Sequence, residues 1–317
     1  MSNFDESKHN RDTGGKFTNK PHAEADGVSL TPTTAPDLFE INEYGIRIIR
    51  EGKNGATATD LDALSKSPDE SVRRNVSWHP NTSQATLRAM STGDPDSGIR
   101  SCALDRLEIW GDELEPYMQD SSRSVRASVA AHPSVTGDLL TRLADDADED
   151  YVVSTVAKNP YLPPAVQDQL AQDEHAGYYV KSCLAGNPKL VASAAKVLAQ
   201  HPHAPVRAAL AENPAAPLAV VEPWASDENP LVRSAFAANP RASAELLEAL
   251  SRDPDRWVQE SVAGNSNAPA PVLRELADSP ELGTRAYVAR NPNTPRAVRN
   301  RLRKDPQVKF RMDSLID

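Results

Sequence analysis

A chain of 317 residues, 39% hydrophobic but only 5% aromatic, can bury a continuous core built from Ala, Val and Leu. Its net charge of −10 argues against wholesale nucleic-acid binding while leaving room for a local basic face. No apolar run approaches the roughly 20 residues that cross a bilayer, so no membrane partner is expected.

The N-terminus, MSNFDESKHNRDTGGKF, has no apolar core for a secretory signal, which makes the cytoplasm the expected location. Residues 1–37 are polar throughout and predict a disordered tail. From Leu38 the pattern changes. One column runs Ile46, Val72, Ile99, Val125, Val152, Val180, Val206, Val232, Val258, Thr284 and Val308, in steps of 24 to 28 residues, most of them 26. A period held over that length marks stacked units.

Within each unit, small or apolar residues follow the marker at +3, +4 and +5, as in Ala235, Phe236 and Ala237, which predicts one buried stripe of a short helix. Asn stands at +7 and Pro next, as at Asn159–Pro160, Asn187–Pro188, Asn213–Pro214, Asn239–Pro240 and Asn291–Pro292; His79 and His132 take the Asn position earlier. Proline disfavours helix in the residue before it, so the first helix ends there, and the Asn is expected to cap the next segment. Four residues on comes Pro, Ser or Thr (Ser83, Thr136, Pro163, Pro217, Ser243), opening a second helix that buries positions such as Leu246, Leu247 and Leu250. Turns rich in Asp and Pro connect the units, and no stretch alternates with a strand's period of two. The prediction is an all-α solenoid over 38–317, of about ten to eleven repeats, whose basic last repeat (Arg296, Arg299, Arg301, Arg303, Lys304, Lys309, Arg311) serves as the cap.

The recurring phrase VR-x-x-VA-x-NP-x-x-P-x-x-LL-x-x-LA-x-D resembles the leucine-rich repeat variant, a bacterial family related to HEAT and armadillo units. The resemblance covers about residues 40–317. It implies a right-handed superhelix of short α-helices alternating with 3₁₀ segments, the 3₁₀ piece following Asn-Pro. Some members of the family carry a cysteine-rich iron–sulfur module, which Cys102 and Cys183 are too few to ligate.

The column after the marker holds Arg47, Arg73, Arg100, Arg126, Lys181, Arg207, Arg233 and Arg285. Cations repeated at roughly 10 Å would form a stripe for an anionic partner. The alternative is that each pairs with an acid of the preceding turn, since Asp94, Asp120, Asp227 and Asp253 stand five residues before a marker. Trp78, Trp110 and Trp257 stand outside the Leu core columns and are candidate anchors for a partner. Trp110 also falls in the region that breaks the repeat, SCALDRLEIWGDELEPYM, which is without Asn-Pro.

Other patterns carry no chemistry of their own. The acidic turn DDADEDY lacks the Gly and distal Glu of a calcium loop, TGGKFT lacks the spacing of a phosphate loop, and the histidines show no ligand spacing. No catalytic residue, cofactor, metal or small-molecule ligand is expected. The sequence therefore predicts a non-enzymatic scaffold that binds a protein partner on a concave helical surface. A nucleic-acid-binding solenoid using the cation column and basic C-terminus is the second reading. A glycosylase of the HEAT-like kind is the third, and it requires an acid and aromatics converging in a groove.

Overall fold

The computed structural model describes residues 38–41, 47–49, 55–146 and 150–313; the tail expected over 1–37 lies outside the described residues. The chain divides into two compact units, residues 1–55 and 56–317. In the first, β1 (Phe39–Ile41) runs antiparallel to β2 (Arg47–Ile49), with Phe39 opposite Ile49 and Ile41 opposite Arg47. This corrects two expectations, that the chain holds no strand and that Ile46 and Arg47 open the first helical unit. Arg47 begins a strand, and Ile46 lies outside the described residues. Aromatic and β-branched residues at Phe39, Ile41, Ile48 and Ile49 favour pleated backbone over helix.

The second unit is an all-α repeat solenoid. Ten first helices occur among the described residues: α2 (Glu70–Trp78), α4 (Ser97–Asp105), α5 (Arg123–Ala131), α7 (Asp150–Lys158), α9 (Tyr178–Ala185), α11 (Ala204–Glu212), α13 (Pro230–Ala238), α15 (Arg256–Gly264), α17 (Leu282–Arg290) and α19 (Pro306–Asp313). Each packs on the next along the series. The markers Ile99 to Val308 are buried, as are the +4 residues Val129, Val156, Leu184, Leu210 and Phe236 and the +5 alanines Ala157, Ala185, Ala211 and Ala237. Two residues of adjacent phase on every helix thus face the neighbouring unit, and each large apolar side chain so buried contributes about 1.5–3 kcal/mol.

The second layer comprises α1 (Ala58–Leu64), α3 (Gln84–Gly93), α6 (Gly137–Ala144), α8 (Pro164–Gln172), α10 (Ala192–Leu198), α12 (Leu218–Val221), α14 (Ala244–Leu250), α16 (Ala270–Leu276) and α18 (Arg296–Leu302). Ser83, Thr136 and Ser243 cap their helices by accepting from the N–H three residues on, while Pro163, Pro217, Pro269 and Pro295 hold the same position without a side-chain bond. Leu247 and Leu250 are buried as expected, and Leu246 is half-buried. Among the described residues the 3₁₀ segments are Gly111–Gln119 and Glu222–Ser226. Elsewhere Asn-Pro is followed by a single i→i+3 turn, as in Leu162 N–H to the Asn159 carbonyl, and then by an α-helix.

The Asn column does more than cap. Each side-chain oxygen accepts from the N–H two residues on, as at Asn213 to Ala215 (2.9 Å). Its Nδ2 reaches back one unit: Asn213 donates to the carbonyls of Ala185 (2.6 Å) and Asn187 (2.8 Å). Asn239, Asn265 and Asn291 repeat both donations, so a ladder of buried amides stitches unit to unit. In the unit without Asn-Pro, Arg106 holds the same +7 position. Its guanidinium donates to the carbonyls of Ser77 and His79, the same two acceptors of the unit before, so the ladder continues through the irregular repeat. The turn after it places Gly111 at φ +50°, a left-handed conformation that costs other residues energy, and then packs Leu114 and Tyr117 into the core.

Candidate interaction surface

The cations after the marker are engaged in the stack. Arg100 shows the arrangement: Nε and Nη2 donate to the two Asp120 oxygens (2.8 and 2.7 Å), and Nη1 donates to the Asp94 carbonyl (2.9 Å). Arg73 grips Asp94, Arg126 grips Asp146, Arg207 grips Asp227 and Arg233 grips Asp253 in the same way, each with side chains no more than 15% exposed. The carboxylate belongs to the turn C-terminal to the arginine, and the preceding turn supplies a backbone carbonyl, which corrects the expected partner. One guanidinium therefore clamps two successive turns, a bidentate geometry that suits its fixed fork. Arg100 holds the Asp120 carboxyl below the usual range. Burial alone would raise Asp227 and Asp253, but Arg207 and Arg233 with backbone N–H groups outweigh it and lower both. Arg285 completes the series more loosely, 3.8 Å from Asp305.

Where the cation changes, its counterpart changes too. Gln259 keeps the donation to the Asp253 carbonyl, and Ser279 stands where the acid would be. Lys181 is followed twenty residues later by His201 instead of Asp. Burial, then the positive charges of Lys181, His203 and Arg207, push the His201 imidazole below its ordinary pKa. Its ring lies against His203, which stacks on Tyr178.

The three candidate tryptophans are on the surface: Trp78, Trp110 and Trp257 are 68, 75 and 56% exposed. Trp110 stands at the start of a 3₁₀ segment, while Trp78 ends α2 and Trp257 lies in the first turn of α15. Trp257 has company that the sequence reading missed. The residues immediately before the marker in consecutive units are Tyr151, Tyr179, Pro205, Leu231 and Trp257, and the two tyrosines, the leucine and the tryptophan are all more than half exposed. The signal lay one column from the marker, disguised because its residue types differ. Tyr161, in the turn after α7, and Tyr178, at the start of α9, are also more than half exposed.

Cations lie over these rings. Arg123 is 5.8 Å from the Tyr151 centroid, Lys158 is 5.4 Å from that of Tyr179, Lys189 is 5.0 Å from that of Tyr161, and Arg256 is 4.5 Å from that of Trp257. Between the tyrosines and Trp257 runs an open groove, with Gly186, Ala209 and Ala238 edged by Pro188, Pro214 and Pro240 and with the exposed Glu212 on its wall. It continues past Ala238 into a groove lined by Trp257, Glu260 and Tyr287, where burial raises the Glu260 pKa. The Ser234 and Ser261 hydroxyls at that end bond each other at 2.8 Å.

Remaining sequence candidates fall into place. Cys102 and Cys183 are buried free thiols, both raised in pKa first by burial. Asp145, Asp146 and Asp150 of the acidic turn are described, and Asp146 is taken by Arg126; no cluster of three metal-ligating side chains occurs among the described residues. In the basic last repeat, Arg299 donates to the Asn291, Pro292 and Thr294 carbonyls, while Arg296, Arg303, Lys304 and Lys309 are exposed. No described helix is long and apolar enough to cross a membrane.

Neither a family model nor a curated protein sequence matches the chain. Among solved structures it is similar to a leucine-rich repeat variant with a novel repetitive structural motif, at 22% identity over 74% of this chain and 85% of that one, with a TM-score of 0.42. It is also similar to an engineered protein at 13% identity, over 82% and 84% of the two chains, with a TM-score of 0.34. The helical repeat scaffold itself stands on the geometry above.

Proposed function

We propose that the protein is a non-enzymatic scaffold that binds a protein partner on the exposed face of its first helices. One observation carries the reading: Tyr151, Tyr179, Leu231 and Trp257 form an exposed apolar column beside a small-residue groove. Large aromatic side chains around a desolvatable floor are the usual energetic centre of a protein interface. A repeat array lets such a column change residue by residue without disturbing the core, because the marker, alanine, Asn and Arg columns carry the fold. A cytoplasmic setting suits the two free thiols.

The nucleic-acid reading relied on the Arg column, and those guanidiniums are turned into the stack. Its remaining support is the exposed basic helix pair near the C-terminus. The enzyme reading gains one acid between two aromatics, Glu260 with Trp257 and Tyr287, but the hydroxyls beside it are engaged with each other. The test is affinity purification of the tagged protein from its native host, with and without nuclease. A discrete protein that survives nuclease and is lost with Tyr179→Ala plus Trp257→Ala is the expected result. Material that disappears with nuclease, or a protein retained by the double variant, contradicts the reading.

A further inference from the structure

The two ends of the aromatic column differ in charge. At the α7–α9 end, Lys158 and Lys189 each lie over a tyrosine, and neither makes an ion pair among the described residues. Arg123 lies over a third ring, Tyr151. Lys158 is also within 3.4 Å of the Tyr179 hydroxyl, which fixes its ammonium beside the ring at the protein surface. Further along, the groove holds carboxyls: Glu212 between Gly186 and Ala238, and Glu260 at the α15–α17 end. In a protein of net charge −10, Lys158 and Lys189 stand beside exposed tyrosines with their charges open to an acidic group.

We infer that this end of the groove receives an acidic segment of a partner protein, in extended conformation, with its carboxylates on Lys158 and Lys189 and its apolar side chains between Tyr151, Tyr161 and Tyr179. This rests on the proposed scaffold reading and adds the partner's charge to it. A lysine held over a ring keeps its charge available to a carboxylate, while the ring supplies apolar contact alongside. Gly186 and Ala209, beyond the tyrosines, give backbone room to lie close, and Glu212 and Glu260 confine the carboxylates of the segment to the lysine end. Single-stranded nucleic acid also uses cations with aromatics, but it needs a charged track along its whole length, and beyond Lys189 Arg207 and Arg233 of the column after the marker are clamped to aspartates.

The test is fluorescence anisotropy with the full chain and three labelled probes: a short peptide alternating Glu and Phe, its Gln-Phe counterpart, and an oligothymidylate. The Glu-Phe peptide should bind about tenfold or more tightly than Gln-Phe. Lys158→Glu with Lys189→Glu should abolish that preference, and Tyr179→Ala should weaken both peptides. Circular dichroism of the variants, unchanged from the parent, keeps a folding defect from mimicking the result. Equal binding of the two peptides that is lost in Tyr179→Ala overturns the acidic partner and leaves the binding face standing. Tighter binding of oligothymidylate, or no peptide binding at all, overturns the inference; retention of a nuclease-resistant partner that depends on Tyr179 and Trp257 would then show that the scaffold reading survives it.

Discussion

Replacing Asn213 with Asp lowers stability by about 3 kcal/mol or more, an unusually large effect for an isosteric change of one side chain. The substituted oxygen loses the Nδ2 that donates to the Ala185 and Asn187 carbonyls and points a second acceptor at both. The acceptance from the Ala215 N–H is kept, so the turn itself is not the cause of the loss. The Ala185 carbonyl loses the Asn213 donor, the Asn187 carbonyl keeps only the Leu190 N–H, and both then face a charge that burial disfavours. Denaturant unfolding measures the total, and hydrogen exchange shows where it falls: faster exchange in α9, α11 and α13 than at either end of the array. An unfolding midpoint within error of the parent would mean that the amide ladder is incidental to stacking.

Leu247→Asp has a different cause and a comparable size. Leu247 is fully buried in α14, and a carboxylate there is taken out of water into the apolar core. The expected loss is about 4–5 kcal/mol, enough to unfold the neighbouring repeats, because each buries its apolar face only against the next. Leu246→Asp, at a half-buried position one residue away, should cost much less. Thermal melts compare the two. Equal effects, or no effect from Leu247→Asp, would refute the assigned core phase of the second helices.

The fold was largely readable because its core is periodic. Val125, Val152, Val180 and their equivalents stand at one phase of consecutive helices, and the Asn-Pro step and Ser or Thr caps cut each unit at the same places. The strand pair Phe39–Ile41 and Arg47–Ile49 was missed because Arg47 fits the column by residue type, while its backbone follows the β-branched Ile48 and Ile49 beside it. The ladder was only half readable. Asn213 advertises a cap, yet its main acceptors are backbone carbonyls 26 and 28 residues earlier, and no residue type marks a carbonyl. Arg106 performs the same task with a different side chain, so the unit that looked broken is continuous.

The arginine column was readable as a choice between two roles, and spacing could not decide between them. Arg100 and Asp120 are twenty residues apart, and only the stacking of turns shows that they meet. The aromatic column was hidden for the opposite reason. Tyr151, Tyr179, Leu231 and Trp257 share a position but no chemistry beyond size, so a search for repeated residue types passes over them. Exposure, which sequence does not give, is what unites them.

The central claim is that partner binding uses this face and leaves the clamped arginines in place. Hydrogen exchange of the partner-bound protein against the free protein tests it most directly. The account predicts slowed exchange in α7, α9, α13 and α15, with the Asp-containing turns at Asp94, Asp120 and Asp227 unchanged. Protection confined to those turns, or to the basic helices α18 and α19, would contradict it.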